Sequence, residues 1–206
     1  KYLVIACDSC GGIGIKENDT VKVPYYVTGK YTARVCLMEI LSICAKLIGL
    51  TVNICNEPDP TGNEILKGVK DELKELDLNI PITISTEKNM ETSMTALGIT
   101  AIGIVSAKEL LLNKVSSGNY VYTVGIPSVG NEVLENEIAD TNTLLKLLNK
   151  DVVKEIIPVG SSGIKGELHK LLEAYNLKIE YTDQIAIDMN KSAGPSTVLI
   201  VITIKK

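Results

Sequence analysis

An acid at the end of an apolar run, followed by a glycine cluster and then a lysine, is a pattern that can do chemistry. Val4-Ile5-Ala6-Cys7-Asp8-Ser9-Cys10-Gly11-Gly12-Ile13-Gly14-Ile15-Lys16 has this form. Leu3 to Ala6 predicts a short buried strand that delivers Asp8 to its end. Gly11, Gly12 and Gly14 then allow the backbone to approach a ligand closely or to take positive φ. The loop is not a P-loop, because no Gly-Lys-Ser/Thr follows at the required spacing. It is not a dinucleotide fingerprint, because counting from Gly12 the third glycine is replaced by Glu17. A tight structural turn is the plain alternative.

Cys7 and Cys10 have the spacing of a redox or zinc half-site. Zinc would need two more ligands, yet Cys36 and Cys44 fall on a predicted core helix, Cys55 ends a predicted strand, and the single histidine, His169, is far along the chain. In a thioredoxin-like site the pair opens a helix, whereas here glycines follow it. Packing is the expected role of these sulfurs. Five cysteines, an odd count without scaffold spacing, read as reduced and mostly buried thiols.

The acids say more. Asp8, Asp19, Glu39, Glu57, Asp59 and Glu87 all lie in the N-terminal half, and Asp8 and Glu87 each end an apolar strand, where open sheets place ligand groups. A hard cation such as Mg²⁺ is held by one or two carboxylates, several waters and substrate phosphates, so acids converging from separate strand ends suit metal–ATP. Glu39, on an apolar helix, needs a partner or a metal if buried, or else pairs with Arg34 or Lys46 at the surface.

The elements that must position these groups follow from periodicity. Ala33, Cys36, Leu37, Ile40, Cys44 and Leu47 predict a helix over Thr32 to Leu50 with Gly49 as its cap. Leu50 to Cys55 alternates as a strand. Thr61-Gly62-Asn63-Glu64 has capping-box spacing and opens an amphipathic helix through Leu76. Strands are expected at Val21 to Pro24, Ile80 to Ile84, Thr95 to Val105 and Tyr120 to Val124, with a short helix at Lys108 to Leu112. Gly125-Ile126-Pro127-Ser128-Val129-Gly130 is punctuation that predicts a boundary between domains 1–126 and 127–206. The second domain reads as a helix (Asn142 to Leu148), a strand (Val152 to Val159), the loop Gly160-Ser161-Ser162-Gly163, a helix (Lys165 to Tyr175) and strands at Leu177 to Tyr181 and Thr197 to Ile204. The fold class is α+β.

Composition limits the functions available. With 45% hydrophobic and 22% charged residues the chain is globular. No apolar run reaches the roughly 18 residues of a membrane span, and no signal peptide is visible, so the expectation is a cytoplasmic protein. The chain opens on Lys1 rather than Met, which leaves a preceding segment open. A net charge of −4 with one arginine argues against a nucleic-acid surface.

Three segments in order resemble a known superfamily over roughly the first 105 residues: that of aminoimidazole ribonucleotide (AIR) synthetase, selenophosphate synthetase, thiamine-monophosphate kinase and the hydrogenase-maturation dehydratase, the PurM-like proteins. Asp8 with Gly12-Ile13-Gly14-Ile15-Lys16 is similar to the Asp-Gly-Val-Gly-Thr-Lys signature of AIR synthetase, with an insertion after the acid. Glu39-Ile40-Leu41-Ser42-Ile43-Cys44-Ala45-Lys46 is similar to the Asp-Ile-…-Met-Gly-Ala-Lys-Pro helix, and Ser85-Thr86-Glu87 stands in the place of Gly-Gly-Glu/Asp-Thr. Glu39 replaces the usual Asp, Cys44 a glycine, and Ser85-Thr86 two glycines.

The resemblance implies a two-domain PurM-like fold whose N-terminal domains pair into a barrel at a homodimer interface. It implies ATP and Mg²⁺ near that interface, with Asp8, Glu39 and Glu87 as metal-holding carboxylates, Asp8 and Lys16 as the catalytic pair, and Gly11, Gly12 and Gly14 beside the phosphates. Pro158-Val159-Gly160-Ser161-Ser162-Gly163-Ile164 resembles Asp-x-Thr-x-Gly-Gly-Leu without its leading acid, in a second domain about half the usual length. There Gly160, Ser161, Ser162 and Gly163 offer backbone N–H groups to a phosphate at a helix N-terminus. Cys-Asp-Ser-Cys-Gly-Gly-Ile-Gly, Ser-Thr-Glu-Lys-Asn-Met and Ser-Ala-Gly-Pro-Ser-Thr look most like the α-ribazole kinase branch, which phosphorylates the ribose 5′-hydroxyl of a cobamide lower-ligand nucleoside. The alternatives are another ATP-dependent synthetase or kinase of the superfamily, a non-catalytic nucleotide-binding module, and a redox or zinc protein built on Cys7 and Cys10.

Overall fold

The computed structural model describes residues 1–181 and 185–204. It divides into two compact units, Lys1–Ile40 with Ala45–Lys108, and Leu41–Cys44 with Glu109–Lys206. The expected Leu177 to Tyr181 strand stops just short of the undescribed residues 182–184.

The first unit is built on four strands, β1 (Tyr2–Gly11), β4 (Lys46–Ile54), β5 (Ile82–Thr86) and β6 (Ala96–Val105), in the order β1-β6-β4-β5. β6 pairs antiparallel with β1 and β4, while β4 and β5 run parallel, so the sheet is mixed. Burial alternates along β6 without a break: Leu97, Ile99, Ala101, Gly103 and Val105 are buried and the residues between them half-buried, as a two-residue period requires. Two short parallel strands, β2 (Ile13–Gly14) and β3 (Val21–Lys22), close the glycine loop.

Helices α1 (Tyr25–Ser42) and α2 (Asn63–Glu75) belong with this sheet. α1 starts at Tyr25 rather than Thr32, because Pro24 precedes it and the Pro24 carbonyl accepts from Val27 N at 2.9 Å. It stops at Ser42 rather than Leu50. Cys44 takes the left-handed conformation, φ 61°, that ends helices, and from Lys46 the chain is paired to Ile104. Gly49 therefore lies in β4, at a register shift, and caps nothing. α1 and α2 cross closely. A Cβ on Gly29 would stand 2.1 Å from Ile65 O, and one on Gly68 2.0 Å from Tyr26 O.

The other face of the sheet is open. Leu3 and Ile5 of β1 are 64% and 63% exposed, Ile48 of β4 is also exposed, and Ile102 and Ile104 of β6 are half-buried beside them. Of the cysteines, all free, Cys36 is buried and Cys10 half-buried, but Cys7, Cys44 and Cys55 are exposed, which corrects the expectation of mostly buried thiols.

In the second unit β7 (Tyr120–Val124), β9 (Leu199–Thr203) and β8 (Val153–Pro158) form an antiparallel sheet in that order, so β7 is hydrogen-bonded to the end of the chain although it precedes the expected boundary at 126. α4 (Gly163–Tyr175) buries Ile164, Leu168 and Leu171 against Val198, Ile200 and Ile202. α3 (Thr141–Leu148) lies against β8, capped by Asp140, which accepts from Thr143 N at 2.7 Å. Lys108 to Leu112 is turn and coil rather than a helix. Leu177 to Tyr181 is irregular rather than a strand, since Asn176 turns the chain at φ 51° and Ile179 packs on the α4 core without joining the sheet. Among the described residues no helix is long and apolar enough to cross a membrane.

Candidate functional site

β1 carries Asp8 in register with Ile99 of β6. Alternation places Val4, Ala6, Asp8 and Cys10 on the more buried side of the strand and Leu3, Ile5, Cys7 and Ser9 on the exposed one. Cys7 and Cys10, three apart on a strand, therefore point to opposite faces and do not form a redox or zinc pair. On the buried side, Cys36 of α1 donates its thiol to Ile99 O at 3.3 Å. Burial pushes this thiol up, and the charges of Asp8 and Glu39 push it further. The same combination acts on Cys10: burial raises its thiol to about 11 against a hydrogen bond from Thr32, with the charges of Asp8 and Asp19 adding to the rise. The Asp8 carboxyl is itself raised by burial, which the Ser9 N–H only partly opposes.

The glycine loop is folded onto the segment before β6. Gly12, at φ 74°, donates its N–H to Thr95 O at 2.8 Å. A Cβ on Gly14 would stand 2.2 Å from Thr95 Oγ1 and 2.6 Å from Asp19 Oδ2, so glycine is required there by close approach. Asp19 is buried and accepts three hydrogen bonds, from Lys16 N (2.8 Å), Thr95 N (2.7 Å) and Thr95 Oγ1 (2.7 Å). Burial disfavours its charge, but these bonds prevail and hold the carboxyl low. The N–H groups of Gly12 and Lys16 are thus already engaged. Gly11 ends β1 opposite Ala96 and is open on its Cα side.

Lys16 does not project freely. Its ammonium lies 2.6 Å from Glu57 Oε1 and 3.0 Å from Thr92 O. Glu57 also accepts from Thr61 Oγ1 and, at 3.1 Å, from Thr92 Oγ1. Burial works against its charge, but Lys16 and the two hydroxyls hold the carboxyl down at about 2. Thr61 serves Glu57, which is why the expected capping box fails: α2 starts without a side-chain cap. Asn56, fully buried, ties the same region together, donating to Thr92 Oγ1 and Met94 O and accepting from Ala96 N.

Glu87 follows β5, the opposite edge of the sheet from β1, three strand spacings or about 14 Å away. Its N–H donates to Ile54 O and Asn56 O, and its Oε1 accepts from Asn89 N at 2.6 Å and Met90 N at 3.3 Å, bonds that hold the carboxyl low. Glu39 is exposed on α1, Asp8 half-buried in β1, and Glu87 stands at the other edge of the sheet. Among the described residues no group of three or more His, Cys, Asp or Glu side chains stands in metal-holding geometry. Arg34, considered above as a partner for Glu39, pairs with Glu72.

Gly160, Ser161, Ser162 and Gly163 lie in the second unit at the start of α4. Gly163 has φ 68° and donates to Gly160 O, while Ala193 N also reaches Gly160 O at 3.1 Å. A side chain at Gly163 would meet Lys191 O at 2.8 Å and Asn190 O at 2.9 Å. Lys165 N, in the first turn, donates to Met189 O at 2.9 Å, so the 190s loop already satisfies part of this helix start. Ser161 and Ser162 are exposed.

Of the residues that shape this site, Glu57 and Asp19 are visible in the sequence only as members of a set of acids. Asn56, Thr92 and Thr95 carry no signal there, because their partners lie 35 to 76 residues away.

No protein-family model matches the sequence, and no curated protein matches it. Solved structures do match the fold. The E. coli hydrogenase maturation protein HypE superposes with a TM-score of 0.66 at 12% identity, covering 98% of this chain and 71% of its own. Thiamine-monophosphate kinase from Stenotrophomonas maltophilia K279a gives a TM-score of 0.66 at 12% identity over 98% of this chain and 74% of its own. A HypE structure solved in complex with ATP gives 0.61 at 11% identity over 98% of this chain and 69% of its own. The chain thus has the mixed α/β fold of HypE and thiamine-monophosphate kinase, the PurM-like fold, over nearly its whole length.

Proposed function

We propose that this chain is an ATP-dependent kinase acting on a small molecule, with the ribose 5′-hydroxyl of α-ribazole as the acceptor. The observation that carries the reading is Asp8: a half-buried carboxylate on the covered side of β1, disfavoured in its charged form by desolvation, on the strand that runs into the glycine loop. A half-buried carboxylate is costly to charge unless a cation stands beside it, and two carboxylates with waters and phosphates are the donor set that Mg²⁺ takes. Asp8 and Glu39 are the residues of this chain that would hold it. Bound there, Mg²⁺ would neutralise charge on the phosphates of ATP. The fold shared with a thiamine-monophosphate kinase and with a protein solved bound to ATP supports the same reading.

The chain's own residues have separable tasks. Lys16 contacts the phosphates, and the acceptor hydroxyl is positioned rather than activated by a strong base, since the only histidine is His169, exposed on α4. On the second unit, taken by itself, Gly160, Ser161 and Ser162 are the loop residues that would meet a phosphate, since Gly163 N is bonded to Gly160 O. The open apolar face of the first sheet supports pairing with a second copy.

The test is incubation with ATP, Mg²⁺ and α-ribazole, following ADP and the phosphorylated nucleoside by mass. Formation of ADP that requires α-ribazole, lost by a factor of about 100 or more in Asp8→Asn, is the expected result. ADP formation with thiamine phosphate, selenide or formylglycinamidine ribonucleotide instead would move the chain to another branch, and none with any acceptor would overturn the kinase reading.

A further inference from the structure

Lys16 leaves the glycine loop with its side chain only 12% exposed. An ammonium has three N–H donors and no acceptor. Glu57 Oε1 at 2.6 Å and Thr92 O at 3.0 Å take two of them. Glu57 is itself immobilised on both oxygens, by Thr61 Oγ1 and Lys16 on one and by Thr92 Oγ1 at 3.1 Å on the other. Its backbone is equally constrained: Glu57 O accepts from Gly62 N at 3.0 Å, and the preceding Asn56 is bonded to Thr92, Met94 and Ala96. Three segments distant in sequence, the glycine loop, the exit of β4 and the approach to β6, meet at this one ammonium.

We infer that Glu57 is a positioning residue, holding the ammonium of Lys16 in one place at the end of the glycine loop so that its third N–H meets a phosphate of the bound nucleotide. The inference rests on the reading of Lys16 as a phosphate contact. A free lysine stem loses rotamer freedom whenever it binds. Here that ordering is already present in the folded chain, so a phosphate meets a fixed donor. The negative charge of Glu57 opposes the phosphate at the same time, and the arrangement favours binding only because the fixed geometry outweighs that repulsion.

Calorimetry on the full chain with Mg²⁺, using ATP and adenosine as probes, separates positioning from a structural clasp. Glu57→Gln should weaken ATP about tenfold and leave adenosine unchanged, the scale of one charge-assisted hydrogen bond. Lys16→Met should weaken ATP to a similar degree, and the double variant should bind ATP no more weakly than Lys16→Met alone, because both act through one ammonium. Should Glu57→Gln fail to fold, Thr92→Val loosens the same carboxylate and should produce a smaller loss confined to ATP. ATP binding by Glu57→Gln at or above the native affinity, an equal loss for ATP and adenosine, or losses that add in the double variant would each overturn the inference. Native binding by Lys16→Met would overturn it while leaving the kinase reading on Asp8 intact. Absence of ATP binding by the unaltered protein would remove both.

Discussion

Arg34 and Glu72 meet as a forked pair between α1 and α2, Nε to Oε1 at 2.8 Å and Nη2 to Oε2 at 3.0 Å, with both residues buried. The Arg34 guanidinium also lies 4.7 Å from the centre of the Tyr31 ring. Bidentate geometry satisfies a buried carboxylate that would otherwise be costly. Arg34→Met should therefore destabilise by about 3 kcal/mol or more in denaturant unfolding, by stranding Glu72. The double variant Arg34→Met with Glu72→Leu should recover most of that loss, since it removes the stranded charge.

The crossing of the two helices depends on two glycines. Gly68→Ala gains up to about 1 kcal/mol of helix propensity but drives a methyl against Tyr26 O. The clash is with backbone, which cannot rotate away, so a net loss of about 2 kcal/mol is expected, and Gly29→Ala against Ile65 O should behave alike. Chemical denaturation of each variant measures it.

Acid should separate the carboxylates of Glu57 and Asp8. Glu57 falls from its ordinary 4.5 to about 2 in the folded chain, so it contributes stability above pH 4.5 that is lost as pH falls from 4.5 towards 2. Its side chain is 30% exposed, and solvent screening limits the contribution to about 1–2 kcal/mol. Asp8 has the opposite sign. Its folded carboxyl is raised above 3.8, so its contribution is fully present below pH 3.8 and is lost as pH rises through the raised value. Thermal melts across pH 2 to 7 should show a shallower acid limb in Glu57→Gln, and in Asp8→Asn a melting point above that of the unaltered protein at neutral pH.

Ile5 tests the open face. Its side chain is 63% exposed beside Leu3, Ile102 and Ile104, and a glutamate there costs the folded unit little. Ile5→Glu should convert a dimer into a monomer in sedimentation while leaving circular dichroism unchanged. A native protein that sediments as a monomer would remove this face as a pairing surface.

Much of the fold was legible where one period ruled. β6, β7, α3 and α4 stand within a residue or two of their sequence positions, because each alternates or repeats cleanly. The stretch from Ile40 to Leu50 was not, since an apolar run of that kind fits a helix and a strand equally, and Cys44 turns the chain where glycine would have announced it. The strand carrying Asp8 was legible in place but not in length or burial: it runs on through Asp8 to Gly11, and Leu3 and Ile5 lie on its exposed side. The Lys16–Glu57 contact was hidden, since 41 residues separate the partners and Thr61, which serves Glu57, reads in sequence as a helix cap.

The unbroken alternation along β6 has a consequence for mutational scanning. One strand should show two phenotypes in strict succession. Substitutions at Leu97, Ile99, Ala101 and Val105 would register as lost abundance, because these side chains fill the interior. At Gly98, Thr100, Ile102 and Ile104 the same polar replacements would leave abundance near normal and register in activity alone, wherever activity needs the outer face covered. A saturation library of ten codons would thus map which side of the sheet the cell requires to be dry.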